Sequence, residues 1–168
     1  DGTAAAAARH VAALDVDLCV ITGDIRDNIH APLGPLMDRL GELVSAVRAP
    51  GGVLGVLGNH DSASMVAPME SLGIDVLINE SVHLQCGGDR VHVTGLDDVH
   101  RFHTEDAHRA LDNAPDGFGI ALVHSPEIAD RATEMMLDLN DIYRDGFHVR
   151  GVAYNTWEPL RHVRTGWV

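Results

Sequence analysis

The chain has 168 residues, 45% of them apolar, and a formal net charge of -13. That length supports one domain with a hydrophobic core, and the acidic balance argues against binding nucleic acid or an anionic membrane surface. All 12 cations are Arg, and the only two cysteines, Cys19 and Cys86, make neither a disulfide framework nor a zinc site and fit a reducing compartment.

Taken in order, the chain opens on an Ala-rich stretch, Ala4–Leu14, that reads as a helix. Neither this opening nor any later apolar run has the shape of a secretory leader or the length of a membrane span. The expected location is therefore cytoplasmic, or peripheral to a membrane through segments outside this sequence. Asp17–Thr22 is a continuous apolar strand of the kind buried on both faces, with Cys19 as a small buried hydrophobe, and it exits at Gly23-Asp24. Pro32–Val47 is a helix with Leu36, Leu40, Leu43, Val44 and Val47 along one stripe. Gly52–Leu57 is the next strand and exits at Gly58-Asn59-His60-Asp61.

Ser62–Leu72 follows as a helix, with Ser62 or Ser64 expected as its cap. Ile74–Ile78, Val82–Cys86 and Arg90–Gly95 read as short strands, with Gly87-Gly88-Asp89 as the hairpin turn between the last two. Asp97-Asp98 is expected on a turn or a substrate-side loop. Thr104–Leu111 is a helix, Gly119–Val123 a buried strand exiting at His124-Ser125-Pro126, and Glu127–Met136 another helix. Alternation of strands and helices predicts an α/β fold, and the central hairpin predicts mixed strand pairing. After about residue 140 the pattern changes. Five of the seven aromatics fall there, and four Arg from Arg144 onward outnumber Asp145 and Glu158. Residues 1–140 are thus expected to form the domain and 141–168 an atypical tail: a divergent edge, a foreign segment or the product of a shifted reading frame.

Three buried strands end alike, with a metal-ligand type of side chain at the exit. In α/β folds such exits converge on one crevice. Asp24, Asn59 and His124 would there form a mixed oxygen and nitrogen set, suited to a divalent Mn, Fe, Zn or Mg ion. Each residue also has a plainer reading. Asp24 can turn the chain after Gly23, residues 59–61 can form an ordinary turn leading into a helix, and His124 can be a satisfied buried histidine. The order and the shared setting favour a common site. His83, His92, His100, His103 and His108 are expected at solvent or on a rim. Ser125 lacks the Gly-x-Ser-x-Gly setting of a nucleophile, and no Walker-type phosphate loop occurs.

Gly23-Asp24, Gly58-Asn59-His60-Asp61 and His124 together resemble the calcineurin-like metallophosphoesterase superfamily. The text of Asp17–Asn28, Gly52–Asp61, Ile74–Glu80, Gly95–Asp98 and Ile120–Pro126 resembles its branch of small bacterial phosphoesterases. The resemblance implies a four-layer αββα sandwich and hydrolysis of phosphoester substrates at a centre of two divalent ions. By the same resemblance Asp24 would bridge both ions, Asn59 and His124 would bind the second, and a bridging hydroxide would attack phosphorus in line. His60 would stabilise the transition state or protonate the leaving alkoxide, with Asp61 orienting it. The family's Asp-x-His has no counterpart ahead of Asp24, and its closing Gly-His-x-His has none after His124, where Gly146 and His148 are wrongly spaced. An incomplete domain is the expectation, and the alternative is a non-catalytic remnant or a weak single-metal binding module.

Overall fold

The first two apolar runs become neighbouring parallel strands. β1 (Cys19–Thr22) and β2 (Val53–Val56) pair from Cys19↔Val53 to Thr22↔Val56, and β3 (Ile74–Val76) joins the other edge of β2, giving the order β1-β2-β3. All four residues of β2 are buried, as an unbroken apolar run predicts for a central parallel strand. The structure, a computed structural model, describes residues 2–86, 89–98, 105–114 and 119–125.

Parallel neighbours need a crossover, and helices supply it. α1 (Gly2–Val11) lies beside α2 (Leu33–Ala46), which connects β1 to β2. The helix expected over residues 62–72 divides into a 3-10 turn (Ala63–Met65) and a short α3 (Val66–Ser71). Pro68 accounts for the late start: lacking an N–H, it fits only the first turn of an α-helix, which begins two residues earlier. Ser62 does occupy the N-cap position, but its side chain makes no cap bond. Its hydroxyl pairs with that of Ser64 at 2.8 Å. Leu40, Met65 and Met69 from the helical segments join Val53, Leu57, Ile74 and Val76 in one buried cluster. Cys19 packs against that cluster and is half-buried, and desolvation raises its thiol pKa.

The second sheet has the mixed pairing expected of the hairpin. β4 (Glu80–Cys86) and β5 (Asp89–Gly95) are antiparallel, with Val82 opposite Val93, and β6 (Gly119–Leu122) runs parallel to β5. Asp89, read from the sequence as part of the turn, is instead the first residue of β5, paired with Cys86. Gly87-Gly88 lies outside the described residues. α4 (Glu105–Asp112) packs through Ala107 and Leu111 onto Leu96, Ala121 and Val123. A third cluster, Leu54, Val56, Leu77, Val93 and Leu122, draws side chains from both sheets. Burying one such side chain stabilises the fold by about 1.5–3 kcal/mol, so this cluster fastens the two sheets to each other.

The described chain is therefore α/β, with two small sheets and four α-helices. The helix expected over 127–136, the tail over 141–168, His100 and His103 lie outside the described residues. No helix among the described residues is long and apolar enough to cross a membrane.

Two of the histidines expected at solvent sit opposite each other, His83 on β4 and His92 on β5. His83 is exposed, but His92 is buried, and its ring occupies the space over Gly119, its register partner on β6. A Cβ at position 119 would collide with Nε2 of that ring, which explains a glycine inside a strand. Burial, and secondarily the charge of His83, hold the His92 pKa below its ordinary 6.5. The unfolded chain takes up this proton first. The stabilisation is full above pH 6.5 and is lost as pH falls from there through the lowered folded value. Thermal melts between pH 5 and 8 should show a shallower acid loss of stability for His92→Gln than for the wild type, and parallel curves would contradict this.

Candidate metal centre

The exits of β1 and β2 are pressed together at backbone level. Gly23 has φ 86° and Asp24 has φ 51°, so two consecutive residues are left-handed, and only the first is a glycine. A non-glycine residue held there costs about 1–3 kcal/mol and tends to mark a functional turn. Gly23 lies against Gly58, where a Cβ on Gly23 would come 2.5 Å from the Gly58 amide nitrogen. A Cβ on Gly58 would strike the amide and Oδ1 of Asp24 and lie 2.9 Å from Cε1 of His124. The two glycines of the Gly-Asp and Gly-Asn-His-Asp motifs thus let the two loops touch.

Asp61 fastens those loops. Its carboxylate accepts the N–H groups of Gly58 at 2.9 Å, Arg26 at 3.1 Å and Ile25 at 3.3 Å. Hydrogen bonds to a charged group contribute about 1.5–3 kcal/mol each, so three of them outweigh the strain at Asp24. The bonds made by Asp61 run to backbone amides, so the residue acts on His60 by holding the loop that carries it. The His60 N–H in turn donates to Asp24 Oδ1 at 3.0 Å.

His124 reaches this place from the second sheet, from the exit of β6. The crevice therefore forms where the ends of both sheets meet, not within one sheet as strand adjacency alone suggests. The ring is clamped on both sides. Nδ1 lies 2.9 Å from the Thr22 carbonyl oxygen, and Nε2 lies 3.1 Å from Asn59 Oδ1 and 3.4 Å from Asp24 Oδ1. A carbonyl can only accept, so Nδ1 carries the proton and donates it to Thr22. That leaves Nε2 facing two oxygens that can only accept, Asn59 Oδ1 and Asp24 Oδ1. This grouping of Nε2 with two acceptor oxygens calls for a proton or a cation among them.

Their spacing also suits an ion. Donors held about 2.0–2.2 Å from one metal sit about 2.8–3.6 Å from each other in tetrahedral or octahedral arrangements, and the observed 3.1 Å and 3.4 Å fall inside that range. The Thr22 carbonyl is the kind of outer partner that fixes a ligating histidine. Among the described residues, no three His, Cys, Asp or Glu side chains form a metal cage; here the third donor is the Asn59 amide.

Exposure separates the two histidines. The side chain of His124 is 9% exposed and that of His60 is 40% exposed. His60 stands at the mouth, with Nδ1 3.6 Å from Asp24 Oδ2, too far for a hydrogen bond. The structure thus brings together all five residues singled out from the sequence: Asp24, Asn59, His60, Asp61 and His124.

Three neighbours were not singled out as site residues. The Thr22 carbonyl, a backbone group, carries no sequence signal. Arg26 is buried, donates to the Ala31 carbonyl at 2.6 Å, and has an Nε without a hydrogen-bond partner. Asp98, expected on a turn or substrate-side loop, is 1% exposed and accepts from Ser125 Oγ at 3.1 Å. An Asp at a strand exit looks like a turn residue in sequence, and only its tertiary surroundings bury it.

No protein-family profile matches the chain. Two curated proteins are similar to it. One, from Bos taurus, is named "Transmembrane protein with metallophosphoesterase domain" and is 31% identical over 158 residues, covering 83% of this chain and 35% of that protein. The other, from Caenorhabditis elegans, is named "Putative metallophosphoesterase F40B5.2" and is 27% identical over 175 residues, covering 93% of this chain and 34% of that protein. The chain spans about a third of the length of the curated relatives it matches. Both are animal proteins with metallophosphoesterase in their names, which supports the superfamily.

Proposed function

We propose that this chain is part of a metallophosphoesterase domain and that it hydrolyses phosphoester bonds with divalent metal ions. The observation that carries the proposal is the convergence of Asp24 Oδ1, Asn59 Oδ1 and His124 Nε2 from three strand exits at 3.1 Å and 3.4 Å. Charge agrees with it. A phosphate ester entering a chain of net charge -13, beside the Asp24 carboxylate, needs local positive charge, and bound cations are the usual source. The order of the three apolar clusters favours a four-layer αββα arrangement. The motifs resemble those of small bacterial phosphoesterases while the relatives are animal proteins, and the superfamily is the level common to both.

Bound divalent ions would supply Lewis acidity toward the phosphoryl oxygens and an activated water nucleophile. Asp24, Asn59 and His124 would hold them, with Asp24 the ligand shared by the two ions of a dinuclear centre. His60 holds Nδ1 toward Asp24, which leaves Nε2 to give a proton to the departing alkoxide. Asp61 keeps the loop of His60 in place. Membrane attachment, carried in the name of the Bos taurus relative, would belong to segments other than those described.

Hydrolysis of an aryl phosphate ester by the purified chain should require Mn2+ and stop on chelation. His60→Ala should lower turnover about 10²–10⁴-fold while leaving bound metal unchanged. Stoichiometric Mn2+ binding with no hydrolysis would favour the second reading, a single-metal binding module, which the one described cluster of donors also fits.

A further inference from the structure

We infer that Asp98 is a positioning residue for His124: from just beyond β5, through Ser125, it sets the direction of the strand exit that presents His124 Nε2 to Asp24 and Asn59. The inference rests on the metal-centre reading for its purpose, though not for its geometry. A backbone bond between the two exits runs from the Leu96 N–H to the Leu122 carbonyl at 3.0 Å. Beyond it, Asp98 Oδ1 accepts from Ser125 Oγ at 3.1 Å, with Asp98 1% and Ser125 8% exposed.

His124 and Ser125 are adjacent residues of the bend that follows β6. Anchoring the Ser125 side chain therefore limits how that bend can turn and holds the backbone of its neighbour His124, whose Nδ1 meets the Thr22 carbonyl. The anchor is itself braced. The Asp98 N–H donates to Asp97 Oδ1 at 2.9 Å, and the Asp97 N–H donates to Asn79 Oδ1 at 3.0 Å. A carboxylate is costly to bury unless its acceptor atoms are used, and here one of them is used on the residue next to a metal-ligand candidate.

Two readouts on the full chain test this. The first is the ring N–H signal of His124 in 15N–1H spectra of metal-free protein, assigned by its loss in His124→Gln. The second is Mn2+ affinity by calorimetry. Asp98→Ala should shift or broaden the ring signal and weaken Mn2+ binding about tenfold, the low end for outer partners of a ligand. Asp98→Asn, which keeps an acceptor oxygen, should restore both, and Ser125→Ala should reproduce the Asp98→Ala result. If Asp98→Ala does not fold, Ser125→Ala decides. A wild-type ring signal in Asp98→Ala or Ser125→Ala overturns the inference, as does an Asp98→Asn variant as impaired as Asp98→Ala. If the wild type binds no Mn2+, the metal reading fails, and the metal-free ring signal still decides the role of Asp98.

Discussion

Gly58→Ala is expected to abolish Mn2+ binding and metal-dependent hydrolysis while leaving both sheets assembled. The added methyl would meet the Asp24 amide and carboxylate and come 2.9 Å from the His124 ring. None of these can yield cheaply: Asp24 is tied to the His60 N–H, and His124 is held by Thr22. Overpacking of a tight site costs about 1–3 kcal/mol, which in a chain of this size lowers Tm by roughly 2–12 °C. The larger effect is on function, since moving a ligand by the width of a methyl group breaks the donor spacing, and affinity should fall at least about a hundredfold. Gly34→Ala is the control, because a Cβ there meets nothing within 4 Å. Wild-type affinity in Gly58→Ala would mean that the β1 and β2 exits do not cross as described.

Asp24→Gly separates stability from function more sharply. Asp24 has φ 51°, and a glycine there relieves about 1–3 kcal/mol of strain. The same change removes the acceptor of the His60 N–H, worth about 1.5–3 kcal/mol when charged, so the two effects nearly cancel and Tm should move little. Metal binding and hydrolysis should nevertheless be lost, because no other described donor replaces the carboxylate beside His124 Nε2 and Asn59 Oδ1. An Asp24→Gly variant that keeps most of its activity would sink the bridging role.

These two sites also mark how far the sequence could be read. The three strands announced themselves through apolar runs, although only β2 is buried along its length while β1 and β6, expected buried, are mostly half-buried, and their exits carried Asp24, Gly58 to Asp61, and His124. Those exits do converge. What local pattern could not carry was partnership at a distance. β6 reads like another strand of one sheet, yet it belongs to the second, and His124 crosses to Thr22 on the first. Asp98 reads as a turn or loop residue, and nothing in sequence marks Arg26, because polarity does not reveal burial, which depends on what packs over a residue. Asp61 was expected to orient the His60 ring, whereas its bonds go to three backbone amides. The helix after the Gly-Asn-His-Asp loop was placed correctly but begins as a 3-10 turn, for a reason visible in Pro68.

A crystal of the chain grown with Mn2+ and measured for anomalous scattering tests the central claim most directly. The account predicts a peak about 2.0–2.4 Å from Asp24 Oδ1, Asn59 Oδ1 and His124 Nε2 together, with His124 Nδ1 still on the Thr22 carbonyl. A Mn2+ peak elsewhere, or none at saturating Mn2+ with these three side chains in their present positions, would contradict it.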